Sequence, residues 1–114
     1  MSPRDVIYHI ARRDEWRAAL EIGAYRTGSL ETEGFIHCSL RRQVLPVANT
    51  LYRGQENLVL LEIDPSLVTA EIRHEGEDDR FPHIYGSLDL DAVLRLAEFQ
   101  PQPDGAFAFP PELA

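Results

Sequence analysis

The chain has 114 residues, 44% hydrophobic and 26% charged, which excludes global disorder and allows one core-bearing domain, spanning residues 1–114, but not two. Its net charge of −8, from 19 acidic residues against 11 basic ones that are all Arg, repels phosphate backbones and argues against nucleic acid as a partner, a specific phosphate end excepted. No apolar run approaches about 18 residues, no secretory signal is visible, and the single Cys cannot form an internal disulfide, so a cytoplasmic protein without a membrane span is expected.

Taken in order, Val6 to Ile10 has the β-branched and aromatic content of a first strand. A helix should follow from Asp14, with Trp16, Ala19 and Leu20 at helical spacing and Gly23 as its stop. Ala24 to Thr32 reads as a loop with a short extended piece at Ser29-Leu30, and its Tyr25, Arg26, Thr27 and Ser29 are candidates for binding. Gly34 then leads into a short buried strand, Phe35-Ile36-His37-Cys38, which leaves through Ser39. Pro46 lacks an amide hydrogen and clashes with a preceding helical turn. A short turn at Leu40 to Gln43 is therefore expected, then a new helix with Pro46 near its start and Val47, Ala48 and Leu51 on its buried face.

Leu58 to Leu61 is a continuous apolar run stopped by Asp64-Pro65, the pattern of a central strand covered on both faces. Val68 to Arg73 is the next expected strand, and Glu75 to Arg80 is a charged connection. Phe81 to Tyr85 contains Pro82, which cannot donate to a sheet ladder, so it is expected at an edge or as a strand start. Ala92 to Phe99 alternates like a strand, and the tail, with Phe107 and Phe109, should dock as a short edge strand. The order predicts an α+β domain, a small mixed or antiparallel sheet with two or three short helices.

Three of the four histidines interrupt apolar, aromatic-flanked segments: Tyr8-His9-Ile10, Phe35-Ile36-His37-Cys38 and Phe81-Pro82-His83-Ile84-Tyr85. A buried imidazole costs free energy unless its nitrogens find partners, so each needs a structural hydrogen bond or a ligand. Alternation puts Phe35, His37 and Ser39 on one strand face, and Phe81, His83 and Tyr85 on another. Such stripes suit a flat heteroaromatic ring stacked on the aromatics, with the imidazoles binding ribose or phosphate oxygens. His9, His37 and His83 are thus the candidate catalytic residues, expected in one cavity. Tyr8, Ser29, Phe35, Ser39, Tyr85 and Arg41 are the candidate ligand contacts. The competing reading makes the histidines a hydrogen-bonded network within the core. No spacing matches an established metal-ligand pattern, so no metal is expected, and a metal-dependent hydrolase is the least favoured alternative. Cys38, adjacent to His37 on a strand, points to the opposite face and is expected in the core.

The segments Ile7-Tyr8-His9-Ile10, Gly34-Phe35-Ile36-His37-Cys38-Ser39, Leu58 to Asp64 and Phe81-Pro82-His83-Ile84-Tyr85-Gly86, in that order, resemble the bacterial family called domain of unknown function 952. That family looks like a compact relative of the ADP-ribosyltransferase-like fold. The resemblance implies a pocket for a nucleotide-like small molecule of the NAD or ADP-ribose type, with NAD as candidate cofactor and glycosyl, ADP-ribosyl or phosphate transfer as candidate chemistry. It would place the ribose at His9 and the nicotinamide at His37. Where those enzymes carry a Glu in their last motif, this chain offers His83 and Tyr85. The alternative is a non-catalytic binding or accessory module with structural histidines.

Overall fold

In the computed structural model, which describes residues 5–114, the elements run β1 (Ile7–Arg12), α1 (Arg13–Ile22), β2 (Ala24–Tyr25), α2 (Gly28–Thr32), β3 (Ile36–His37), α3 (Arg41–Leu51), β4 (Leu58–Ile63), β5 (Glu71–Glu75), β6 (Phe81–Tyr85), β7 (Leu88–Asp89) and β8 (Val93–Glu98). This is an α+β architecture of three small antiparallel sheets, ordered β1-β4-β8, β2-β7 and β3-β6-β5.

Alternation along β1 and β4 decides the layering. Ile7, Ala11, Val59, Leu61 and Ile63 enter one core with Trp16, Tyr25, Ile36 and Ile84. Tyr8, Ile10, Leu58 and Leu60 enter a second core with Val44, Ala48, Phe99 and Phe107. Every residue of β4 is buried, as expected of a run without polar alternation. Glu62 is the one charge within it, and it is satisfied: Tyr8 donates to it at 3.0 Å and Arg95 donates to both its oxygens at 2.8 Å. Those donors hold its carboxyl below the usual range, the Arg95 bonds most strongly.

The helix stop at Gly23 is as expected, with φ 97° and its amide bonded to the Ala19 carbonyl, a left-handed cap that suits Gly. Leu20, by contrast, is exposed; the buried face of α1 is Trp16 and Ala19. Four further expectations are corrected. Ser29-Leu30 lies in α2 and is not extended. The third helix is continuous from Arg41 to Leu51 with Pro46 inside it, because Gln43, Val44 and Ala48 are buried on either side of a proline that itself faces solvent. β6 is the central strand of its sheet, not an edge. Cys38 donates its amide to the Pro82 carbonyl at 3.0 Å, but Pro82 has no amide hydrogen to return, so the proline shortens the β3 ladder to two residues instead of ending the sheet. The tail forms no strand among the described residues: Phe107 is buried and stacks on Phe99 at 4.7 Å, and a single 3-10 turn follows at Pro111–Leu113.

No helix among the described residues is long and apolar enough to cross a membrane.

Candidate functional site

An open cleft of about 780 Å³ lies between the C-terminal half of α3 and the turn joining β5 to β6, over the middle of β1 and the end of β3. It gathers His9, His37 and His83, as three histidines on three apolar strands led us to expect. Val47, Leu51, Tyr52 and Phe81 make an apolar wall; Leu51, expected on the buried face of α3, is instead 67% exposed, and that face is Gln43, Val44 and Ala48. Glu75, Glu77, Asp78 and Asp79 make the opposite rim, and none of the described arginines lines the cleft.

The three imidazoles differ in how they are held. His9 is 7% exposed, and both its nitrogens are used inside the protein. Its Nδ1 lies 2.5 Å from the His37 carbonyl, which can only accept, so Nδ1 carries the proton. Nε2 then accepts from the Tyr25 hydroxyl at 2.8 Å. Burial lowers the His9 pKa to about 4 and keeps the ring neutral. The tyrosine it leans on is fully buried, and that burial pushes its hydroxyl pKa up. His9 therefore ties β1 to the carbonyl of His37 and orients the strand that carries it.

His83 is directly opposite His37 across the β3–β6 pair. Its Nδ1 donates to Glu75 Oε1 at 2.8 Å, and the Tyr85 hydroxyl donates to the same oxygen at 2.6 Å. The Tyr85 bond first, then the His83 bond, hold the Glu75 carboxyl below its usual range, so it remains a carboxylate and fixes the His83 tautomer. Nε2 of His83 has no hydrogen-bond partner among the described residues. Phe35 stacks on the His83 ring with centroids 4.0 Å apart and planes 17° apart, which limits the ring's tilt. The His37 side chain is 53% exposed, and its Nε2 donates to Glu33 at 3.1 Å. The two rings are 5.2 Å apart.

The acidic turn is anchored at its far end. Arg42 donates to both oxygens of Asp79 at 3.1 Å, and Gln43, buried on α3, donates to the Arg80 carbonyl at 2.8 Å. Gly76 at its start has φ 142°, and a Cβ there would fall 2.1 Å from the Asp79 carbonyl oxygen, so the turn closes only with Gly.

Other candidate contacts are distributed more widely. Ser39 lines the cleft, and its backbone bridges to Tyr8. Phe35 and Tyr85 touch His83 and Glu75 without lining the cleft. Ser29 donates to the Phe35 carbonyl at 2.7 Å and lines a smaller adjoining cavity. The structure does not bring Tyr8 or Arg41 to the cleft. Tyr8 alternates with His9 and so enters the opposite core, bonded to Glu62 and packed edge-on to Phe109. Arg41 lies over the Phe109 ring and donates to the Leu113 carbonyl. Cys38 is buried, which pushes its thiol pKa up and keeps it protonated, the opposite of an activated nucleophile. No group of three or more His, Cys, Asp or Glu side chains is arranged to hold a metal among the described residues.

Two parts of the site escaped the sequence reading: Glu75 as the partner of His83, and Tyr25 as the partner of His9. The sequence placed Glu75 in the charged connection after the strand, whereas it is the last residue of β5, and its position beside His83 needs the β5–β6 register, in which Arg73 opposes His83.

The fold has solved counterparts. The crystal structure of protein CC0527 from Caulobacter crescentus matches with a TM-score of 0.83 at 34% identity, over 90% of this chain and 93% of that one. A crystal structure of a double mutant of the same protein gives 0.82 at 34% identity, with 90% and 93% covered. Its solution NMR structure gives 0.78 at 34% identity over 90% of each chain. No curated protein matches. The family model described as "Protein of unknown function (DUF952)" matches residues 10–96, more than half of the chain, and the protein therefore belongs to the DUF952 family.

Proposed function

We propose that the cleft binds a small, nucleoside-like molecule by a flat ring, and that the Glu75–His83 pair moves a proton at it. The observation that carries this reading is the 2.8 Å bond from His83 Nδ1 to a carboxylate, which leaves Nε2 as an acceptor in a cleft with an apolar wall. A base fixed in this way takes the proton from a water or an acceptor hydroxyl as that oxygen attacks. The electron pair of the breaking bond then leaves with the ring, and His37, 5.2 Å away, stands beside the departing group.

The charge of the cleft narrows the ligand. Four carboxylates line it and, among the described residues, only Asp79 is paired with an arginine, so a neutral or cationic ring is favoured over a phosphate group. This bears on the transfer chemistry that the ADP-ribosyltransferase-like resemblance implies. The nicotinamide ring of NAD is a cation that suits the acidic rim, whereas its pyrophosphate does not. Glycosyl transfer from NAD is therefore the second reading, favoured by the exposure of His37. In it His9 positions the His37 strand and does not hold ribose, since both its nitrogens are occupied.

The test is thermal melting with 1-methylnicotinamide, nicotinamide and ADP-ribose, together with nicotinamide release from nicotinamide riboside. The cation should raise the melting temperature and the anion should not. Release should fall by about a hundredfold in His83→Asn. Binding without release would leave a non-catalytic module. Neither binding nor release would remove the proposal.

A further inference from the structure

A second cavity of about 240 Å³ adjoins the cleft, and the two share His9, Ile10, His37 and Tyr52 as lining. Its remaining walls are Arg12, Glu15, Thr27, Ser29 and Gln55, every one of them polar, in contrast to the apolar wall of the cleft. These groups are partly engaged with one another but keep bonding capacity. Thr27 Oγ1 donates to Glu15 at 3.0 Å, leaving its lone pairs and the second Glu15 oxygen. Ser29 Oγ donates to the Phe35 carbonyl and keeps its acceptor sites. Among the described residues the Gln55 side-chain amide has no hydrogen-bond partner, and the Arg12 guanidinium makes no hydrogen bond, a 3.9 Å approach to Asp14 and the field of the Tyr52 hydroxyl being its interactions. Acceptors and donors of both kinds, facing a volume large enough for several waters, are what a compact polyhydroxylated group needs.

We infer that this small cavity is a second subsite of the same site, taking a hydroxyl-rich, sugar-sized extension of the molecule whose ring occupies the cleft, with His37 beside the bond that joins the two parts. The inference rests on the reading of the cleft given above. It follows from position: His37 is half exposed and belongs to both linings, so a ligand reaching from one cavity into the other passes its ring. The arrangement selects against a bare ring, which leaves the polar cavity to water, and against a wholly apolar extension, which would strand the donors and acceptors of Thr27, Ser29 and Gln55.

The experiment compares two probes that carry the same cationic ring, 1-methylnicotinamide and nicotinamide riboside, by calorimetric titration of the whole protein. The wild type should bind the riboside about tenfold more tightly, the gain expected from a few well-placed hydrogen bonds. Gln55→Trp fills the small cavity from its exposed side and does not touch the cleft lining. It should remove that advantage and leave the affinity for 1-methylnicotinamide unchanged. Arg12→Ala, at another exposed wall position, provides the same comparison if the tryptophan disturbs folding, and it should reduce the riboside advantage alone. Equal affinity for the two probes in the wild type, or an equal loss of both in the variants, overturns the second subsite while the cleft reading stands. Failure of both probes to bind overturns the cleft reading and this inference with it.

Discussion

His9 offers the sharpest quantitative test, because its burial makes the stability of the fold depend on pH. Its ring is neutral in the folded protein with a pKa lowered from 6.5 to about 4, mainly by desolvation. A base whose folded pKa is depressed contributes its stability fully above the unfolded value. That contribution is lost as pH falls, since the unfolded chain takes up the proton first. The loss begins near pH 6.5 and is complete near pH 4, below which both states are protonated. At 1.36 kcal/mol per unit the full effect is about 3 kcal/mol, and about 2 kcal/mol of it has gone by pH 5. Arginine partners hold the carboxyls of Glu62 and Asp79 below their ordinary range, so the window from pH 7 to 5 favours the imidazole. His9→Gln keeps a donor for the His37 carbonyl and an acceptor for Tyr25 but does not titrate. The measurement is urea unfolding followed by the fluorescence of Trp16, the single and buried tryptophan, at pH 7 and pH 5. The variant should be less stable by roughly 1–3 kcal/mol at pH 7, from imperfect hydrogen bonds, and its further loss on going to pH 5 should be about 2 kcal/mol smaller than the wild type's. Parallel losses in the two proteins would refute the assignment of a neutral, doubly bonded His9.

Pro46→Ala should stabilise the protein by about 1–2 kcal/mol, because a residue with an amide restores the bond to the Arg42 carbonyl within α3 and outweighs the freedom gained by the unfolded chain; a melting temperature that stays level or falls counts against this. Glu75→Gln should leave thermal stability nearly unchanged but lower turnover of a bound substrate about 10- to 100-fold, since His83 loses the carboxylate that fixes its tautomer; retained turnover in steady-state assays would remove the pair from the mechanism. Gly76→Ala forces the acidic turn open, its Cβ meeting the Asp79 carbonyl at 2.1 Å, and should weaken binding of a cationic probe while the core melts as before. An unchanged affinity would show that the turn does not shape the cleft.

The sequence alone determined the elements whose signal is local. The unbroken apolar run of β4 could only be a doubly covered strand, Gly23 could only be a cheap left-handed stop, and a histidine buried on β1 had to find polar partners inside the fold, as His9 does, whereas His37, read as buried, is half exposed. Tertiary structure decided whatever depends on which strand lies beside which. Pro46 stays inside one helix because Gln43, Val44 and Ala48 are buried around it, a packing gain that local propensity does not contain. Pro82 is tolerated in a central strand because its missing amide faces β3, where it costs one ladder bond and stops that ladder at two residues, while the pairing with β5 runs on past it. Glu75 becomes the partner of His83 only through the β5–β6 register, and His9 becomes a tie between strands only because Tyr25 and the His37 carbonyl arrive at its two nitrogens. Periodicity assigns a side chain to a face of its own strand. What that face meets is decided by pairings many residues apart, where burial over the whole core outweighs any local preference.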